Sequence, residues 1–303
     1  MVKIVLLGLY LMASTVAYSQ SCDKQKVKLQ VLGSGGPELT DGRVSSSHLL
    51  WVDGKAVVLI DAGGGSAHQF ERAGGKIKDL QAILLTHLHV DHSVDVPTFI
   101  KGSFFTDRKQ DLWVMGPQGN ELMPDTSAYL AELFDAGGAY GYLSNYWLPN
   151  ESSKYKIRAV DAKLEHHKIH QHPVNESISV SSIGVHHGPI SAVAWRIDIS
   201  DCAITFSGDM SNQYSSLEKL AKGSDLLVAN NAIEESATGV ARNLHMPPSE
   251  IAKIASKARV NKLLLAHFMN RSLPHQKTAR QIINQAYKGS IILAEDLMEI
   301  NLK

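Results

Sequence analysis

The order of apolar runs in this chain predicts an α/β (α+β) protein, and three observations carry that prediction. Runs of strand length recur along the sequence, at residues 27–32, 48–52, 56–60, 81–85, 112–115, 177–185, 203–206 and 262–266. Segments with helical spacing lie between them, at 66–73, 121–135 and 249–258. Several of the strand-like runs end directly in histidine or aspartate. With 303 residues, 44% hydrophobic and 20% charged, the chain has apolar material for a sizeable core, in one large domain or two medium ones. Its 30 basic side chains equal its 30 acidic ones, so no overall field draws nucleic acid or an anionic membrane, and a nucleic-acid partner is not expected.

Taken in order, residues 1–19 have the build of a signal peptide. Lys3 supplies a positive start, Ile4 to Ala13 an apolar stretch too short to span a bilayer comfortably, and Ala17-Tyr18-Ser19 a small-x-small cleavage site. The mature chain, from residue 20, is therefore expected to be exported, periplasmic or secreted, with no transmembrane segment. Cys22 is placed for lipid anchoring, but Ser19-Gln20-Ser21 lacks the aliphatic residue that such a signal usually has. An oxidising compartment would also permit a Cys22–Cys202 bridge; two unpaired thiols are the alternative.

Val27 to Leu32 alternates as a half-buried strand, and Gly33-Ser-Gly-Gly-Pro37 reads as a tight turn, because neither phosphate-loop spacing is present. Asp53-Gly54 between two apolar runs signals a hairpin. The second run ends in Asp61-Ala-Gly-Gly-Gly65, where the backbone can pass close to a neighbour. Ser66 to Ala73 suits a helix closed by Gly74-Gly75. Next, the buried run 81–85 delivers Thr86-His87-Leu88-His89-Val90-Asp91-His92. On an extended segment, side chains two apart point the same way, so His87 and His89 face one ion. Asp91 and His92, on the turn that follows, serve a second. Imidazole and carboxylate without thiolate suits catalytic zinc, with manganese or iron as alternatives.

Residues 97–173 are the least legible. A strand at 112–115, a helix at 121–135 and an aromatic stretch at 140–147 that could shape a substrate pocket are expected there. Glu165 to His172 reads as a solvated connection despite its histidines. Three later strands then end in possible ligands: His186-His187-Gly188-Pro189, Ser207-Gly208-Asp209, and His267-Phe268. If those ends converge, His87, His89 and His187 hold one ion, Asp91, His92 and His267 hold another, and Asp209 bridges. His187 is preferred to His186 because it abuts the Gly-Pro turn.

The order His-x-His-x-Asp-His, His-Gly-Pro, Ser-Gly-Asp and a late His-Phe resembles the metallo-β-lactamase superfamily of hydrolases, from about Val27 to the C-terminus. Leu32-Gly-Ser-Gly-Gly-Pro37, Ser45-Ser-Ser47 and Asp61-Ala-Gly-Gly-Gly65 make it similar to the branch holding ribonuclease Z and arylsulfatase-like or phosphodiesterase-like enzymes. That resemblance implies a four-layer αββα sandwich of two mixed sheets over residues 20–303, with a site for two Zn2+ at one edge. It also implies that His245, in Asn243-Leu-His-Met-Pro-Pro248, lies outside the metal shell and assists the leaving group. Asp91 could accept a proton from the attacking water, and Asp61 could orient a ligand imidazole. Where ribonuclease Z carries a His-Glu-Ala-Thr stretch, this chain reads Val228-Ala-Asn-Asn-Ala-Ile233, which speaks against transfer-RNA cleavage. The expected activity is hydrolysis of a small phosphate or sulfate ester. Lactonase or β-lactamase activity, ribonuclease Z-like cleavage, and persulfide oxidation at a single iron are the alternatives. A homodimer is compatible with the family.

Overall fold

The computed structural model describes Cys22 and residues 26–302. The expected signal peptide lies outside them. Among the described residues, no helix is long and apolar enough to cross a membrane.

Two seven-stranded mixed sheets face each other. The first contains β1 (Val27–Gly33), β2 (Ser47–Val52), β3 (Lys55–Ile60), β4 (Ala82–Leu84), β5 (Leu112–Pro117) and β6 (Ile157–Ala162). The second contains β7 (His170–Pro173), β8 (Ile178–His187), β9 (Ile190–Ile199), β10 (Cys202–Phe206), β11 (Leu226–Asn230), β12 (Lys262–Ala266) and β13 (Ser290–Leu293). Strand β14 (Glu299–Asn301) returns to the first sheet, giving the order β14-β1-β2-β3-β4-β5-β6 beside β13-β12-β11-β10-β9-β8-β7. Each sheet has an antiparallel part, up to β3 or β10, and a parallel part beyond it.

Strand periodicity builds the layers. On β2 and β3, Leu50, Val58 and Ile60 point into the core between the sheets, while Leu49 and Leu59 point outward to a second core under Phe70, Phe99 and Leu130 of the flanking helices. On the far side, helices Pro248–Ala258 and Gln276–Ala286 lay Ile251, Ile254 and Ile283 against the second sheet. Helix, sheet, sheet, helix is the four-layer order that the resemblance implied. Beneath the histidine cluster, the sheets are joined by hydrogen bonds. Val193 N donates to Thr86 O, and the fully buried Trp195 Nε1 donates to Leu85 O, both at 2.9 Å.

The Asp53-Gly54 hairpin forms, with both residues at positive φ. The predicted helix at 121–135 is shorter, Thr126–Phe134, because Pro124 holds the residue before it out of helical conformation. The solvated connection at 165–172 is corrected in part: His170–Pro173 pairs with β8 as an edge strand, where His172 Nε2 meets Ser182 Oγ at 2.8 Å. The two cysteines are joined, Cys22 to Cys202.

Candidate metal centre

The site lies off the carboxyl ends of β4, β8, β10 and β12, where open α/β sheets leave a crevice. His87 follows β4, His89 caps the short helix Val90–Ser93, and Asp91 and His92 ride on that helix. His187 ends β8, Asp209 follows β10, His245 follows helix Gly239–Leu244, and His267 follows β12. Glycines let these segments approach. A Cβ at Gly63 would lie 2.1 Å from the Asp91 carbonyl oxygen, and one at Gly36 would lie 2.8 Å from His267 Cε1. The segment read from sequence as a tight turn therefore packs against a ligand. Asp61 and His267 both sit at positive φ, conformations that non-glycine residues adopt at a cost and that cluster at functional sites.

The side chains converge in two sets. Ligand-type atoms of His87, His89 and His187 lie within 4.8 Å of one another, and so do those of Asp91, His92 and His267. Asp209 stands between the sets. Its Oδ2 is 3.4 Å from His267 Nε2, 3.8 Å from His92 Nε2 and 3.9 Å from His187 Nε2. His245 Nδ1 faces the same oxygen at 3.8 Å. Every ligand expected from sequence is thus brought to one place, with His245 beside them. His186 turns away, its Nδ1 2.8 Å from Ser211 Oγ.

The surrounding groups fix which nitrogen faces inward. Nδ1–H of His92 donates to Asp61 Oδ2 at 2.8 Å, and Thr86 donates to both Asp61 oxygens, from its hydroxyl at 3.0 Å and its N–H at 2.7 Å. Nδ1–H of His187 donates to the Leu244 carbonyl at 2.9 Å. Asn230 Nδ2 donates to Asp209 Oδ1 at 2.7 Å, leaving Oδ2 for the centre. Thr86, Leu244 O and Asn230 were not singled out from sequence as positioning groups. Asn230 was noted only as a departure from ribonuclease Z, although its place at the end of β11 was the available signal.

The donor set fits divalent cations. His187 Nε2 is buried without a hydrogen-bond partner, and pairs such as His267 Nε2 and His92 Nε2, 3.1 Å apart, bring ring nitrogens together as a shared ion would require. The two sets differ in charge. Burial, then His92, holds His87 well below the usual histidine range, and burial also lowers His89 and His187. In the other set burial opposes the charged forms, but carboxylates outweigh it: Asp61 and Asp91 raise His92, and Asp209 and Asp91 raise His267. Asp91 is held far below the usual carboxyl range because His92 and His267 overcome its burial. Burial brings His245 down to about 4 despite Asp209, so this imidazole is neutral in the metal-free protein rather than titrating near pH 7.

The sequence model of the metallo-beta-lactamase superfamily matches residues 40–252. The chain belongs to that superfamily. It is a metal-dependent hydrolase of the metallo-β-lactamase fold. Among curated relatives, ribonuclease Z of Methanosarcina mazei is 25% identical over 307 aligned residues, covering 91% of this chain and 98% of its own. Among solved structures, human tRNase Z, short form, matches with a TM-score of 0.67 and 20% identity over 91% of this chain and 99% of its own. Zn(2+)-bound PqqB from Methylobacterium extorquens matches with a TM-score of 0.64 and 15% identity, over 90% and 99% of the two chains. These matches overturn the expectation that nucleic acid is not a partner. That expectation took zero net charge as a bar, but net charge averages over a whole surface, whereas nucleic acid is recognised by local groups.

Proposed function

We propose that this superfamily member is an exported dinuclear zinc phosphodiesterase whose substrate contains ribonucleotides. The observation that carries this reading is the position of Asp209 Oδ2, one carboxylate oxygen within 3.4 to 3.9 Å of ring nitrogens from both ligand sets. His87, His89 and His187 would hold one ion, Asp91, His92 and His267 the other, and Asp209 both. Two such ions supply Lewis acidity and lower the pKa of water at neutral pH. Hydrolysis then forms a bond from water oxygen to phosphorus and breaks the bond to the leaving oxygen, which takes up a proton. Asp91, kept ionised by its histidine neighbours, is placed to accept a hydrogen bond from the attacking water. His245, 3.8 Å from Asp209 and outside both triads, is neutral and is placed to donate an N–H hydrogen bond to the leaving oxygen, whose proton comes from solvent.

The ribonuclease Z relatives support a phosphodiester over a sulfate ester, and the complete second ligand set favours two ions over a single iron. The Cys22–Cys202 bridge supports action outside the reducing cytoplasm, and a sulfur committed to that bridge carries no lipid. The test is to load the protein with zinc and assay methyl p-nitrophenyl phosphate, p-nitrophenyl sulfate, a lactone and a β-lactam. Turnover of the phosphodiester alone, lost in Asp209→Ala, is expected. Turnover of the sulfate or the β-lactam without the phosphodiester would overturn it.

A further inference from the structure

An aromatic cluster lies at the far end of the helix that follows the ligand-bearing turn and takes no part in the metal centre. Helix Val96–Ser103 begins three residues beyond Val90–Ser93 and runs about 12 Å, at ~1.5 Å per residue. At its far end Phe105 is 76% exposed, and Tyr142, from the 3-10 segment Gly141–Tyr146, is 67% exposed. Exposed rings grouped in this way mark an interaction surface. Lys101 projects among them, its ammonium 5.2 Å from the Phe105 ring centroid, 5.3 Å from that of Tyr142 and 4.6 Å from that of Phe104. Among the described residues Lys101 has no carboxylate partner, so its charge is uncompensated. Between the rings lies a cavity of about 370 Å³, floored by Pro97, Thr98 and Gly102.

From this juxtaposition we infer that Phe105, Tyr142 and Lys101 form a base-stacking subsite that holds a nucleotide of the substrate. The occupant must offer a flat π-face to the rings and a negative charge to the ammonium, and a nucleotide has both. Stacking of bases on exposed aromatic side chains with a cation nearby is how single strands are held without sequence readout. The polar, backbone-anchored lysine clamps of the same half, such as Lys156 Nζ on the carbonyls of Asn145, Leu148 and Glu151, are already satisfied internally. Among the described residues Lys101 makes no such bond, and its ammonium is held among the rings by cation–π contacts that a phosphate can approach. This inference rests on the phosphodiesterase reading for the nature of the substrate, and it names what that reading leaves open: the recognition of the substrate's bases.

Two measurements on the zinc-loaded full chain test it. The first compares hydrolysis of thymidine 5′-p-nitrophenyl phosphate with that of methyl p-nitrophenyl phosphate, which shares the leaving group and lacks the nucleoside. The second follows binding of a fluorescein-labelled oligoadenylate by anisotropy, with and without zinc. In Phe105→Ala/Tyr142→Ala, KM for the nucleotide ester and Kd for the oligonucleotide are expected to rise about 10-fold, as loss of a stacked base does, with the methyl ester unaffected. Lys101→Gln is expected to weaken oligonucleotide binding and flatten its salt dependence. Unchanged Kd and KM in the double variant would overturn the subsite. So would a shift from dimer to monomer in sedimentation with unaltered oligonucleotide affinity, since the rings would then be an interface between copies. Oligonucleotide binding that depends on the rings, in a protein that hydrolyses no phosphodiester, would support the subsite and sink the phosphodiesterase reading instead.

Discussion

The two ligand sets use the two sheets in the same proportion and differ in what they ask of an ion. Each set takes two neighbours from the single motif after β4 and one histidine from a strand end of the second sheet, His187 or His267. Asp209, also from the second sheet, faces both. The His87 set is made of imidazoles that burial keeps neutral, so its lone pairs are available near neutral pH. In the Asp91 set, carboxylates hold protons on His92 and His267, and those protons must leave before an ion enters. The difference teaches that one compact cluster can be assembled from similar parts yet leave its two halves in different charge states.

The sharpest way to break the comparison is to remove what the halves share. Asp209→Ala is expected to lower phosphodiester turnover by about 1000-fold or more, in line with several kcal/mol of Lewis-acid stabilisation. Elemental analysis of the variant should also show fewer bound ions than in wild type. If Asp209 bridges nothing, metal content will be unchanged.

A second cut separates the sheets covalently. The Cys22–Cys202 bridge spans 180 residues of sequence and ties the segment before β1 to β10. Cys22→Ser/Cys202→Ser is expected to lose about 2–5 kcal/mol of stability, most of it through the freed unfolded chain. Urea unfolding of the oxidised wild type and the double variant measures this; coincident midpoints would contradict it.

A smaller change sharpens the contrast between the halves. Asp61→Asn weakens the acceptor that orients His92 directly and reaches the His87 set only through the Thr86 hydroxyl, 3.1 Å from His87 Nδ1. About a 10- to 100-fold loss of zinc affinity is expected at the site that contains His92, with a smaller loss at the other, by competition with a chelating dye. Equal weakening of both would show that the halves are not separable.

A pH-dependent effect concerns what lies under the centre. His48 is sealed on β2 against Phe206, and burial, then His92 and His267, pushes it down to about 3. It is neutral in the fold and takes up a proton on unfolding below its ordinary value of 6.5. The stability it contributes is therefore present above that value and is lost as pH falls toward about 3, by about 1.4 kcal/mol per pH unit. In metal-free protein, His48→Leu should flatten the fall in urea midpoint between pH 6.5 and 4. An unchanged slope would assign the acid sensitivity to other groups.

Much of this was legible from residues alone, for physical reasons that differ by element. His87 to His92 could be read because a strand-to-turn segment carries its ligands at fixed short spacing. His187, Asp209 and His267 could be read because each lies at, or within three residues of, the end of an apolar strand. Asp61 was legible as a positioning group, being at the mouth of β3 before glycines. Asn230 and the Leu244 carbonyl were not, since a hydrogen bond across neighbouring strands or to a backbone oxygen depends on register and loop path. The helix at 126–134 was overextended because local periodicity outweighed Pro124. Net charge was no guide to nucleic acid, because a sum of zero does not say how charge is arranged locally, as at Lys101 among exposed rings.

The measurement that bears most directly on the whole account is the zinc content of purified wild-type protein at saturation, by elemental analysis with protein concentration from amino-acid hydrolysis. Two ions per chain are predicted, one for each ligand set, with phosphodiester turnover appearing as the second is bound. Saturation at one ion, or full turnover with one, would contradict it.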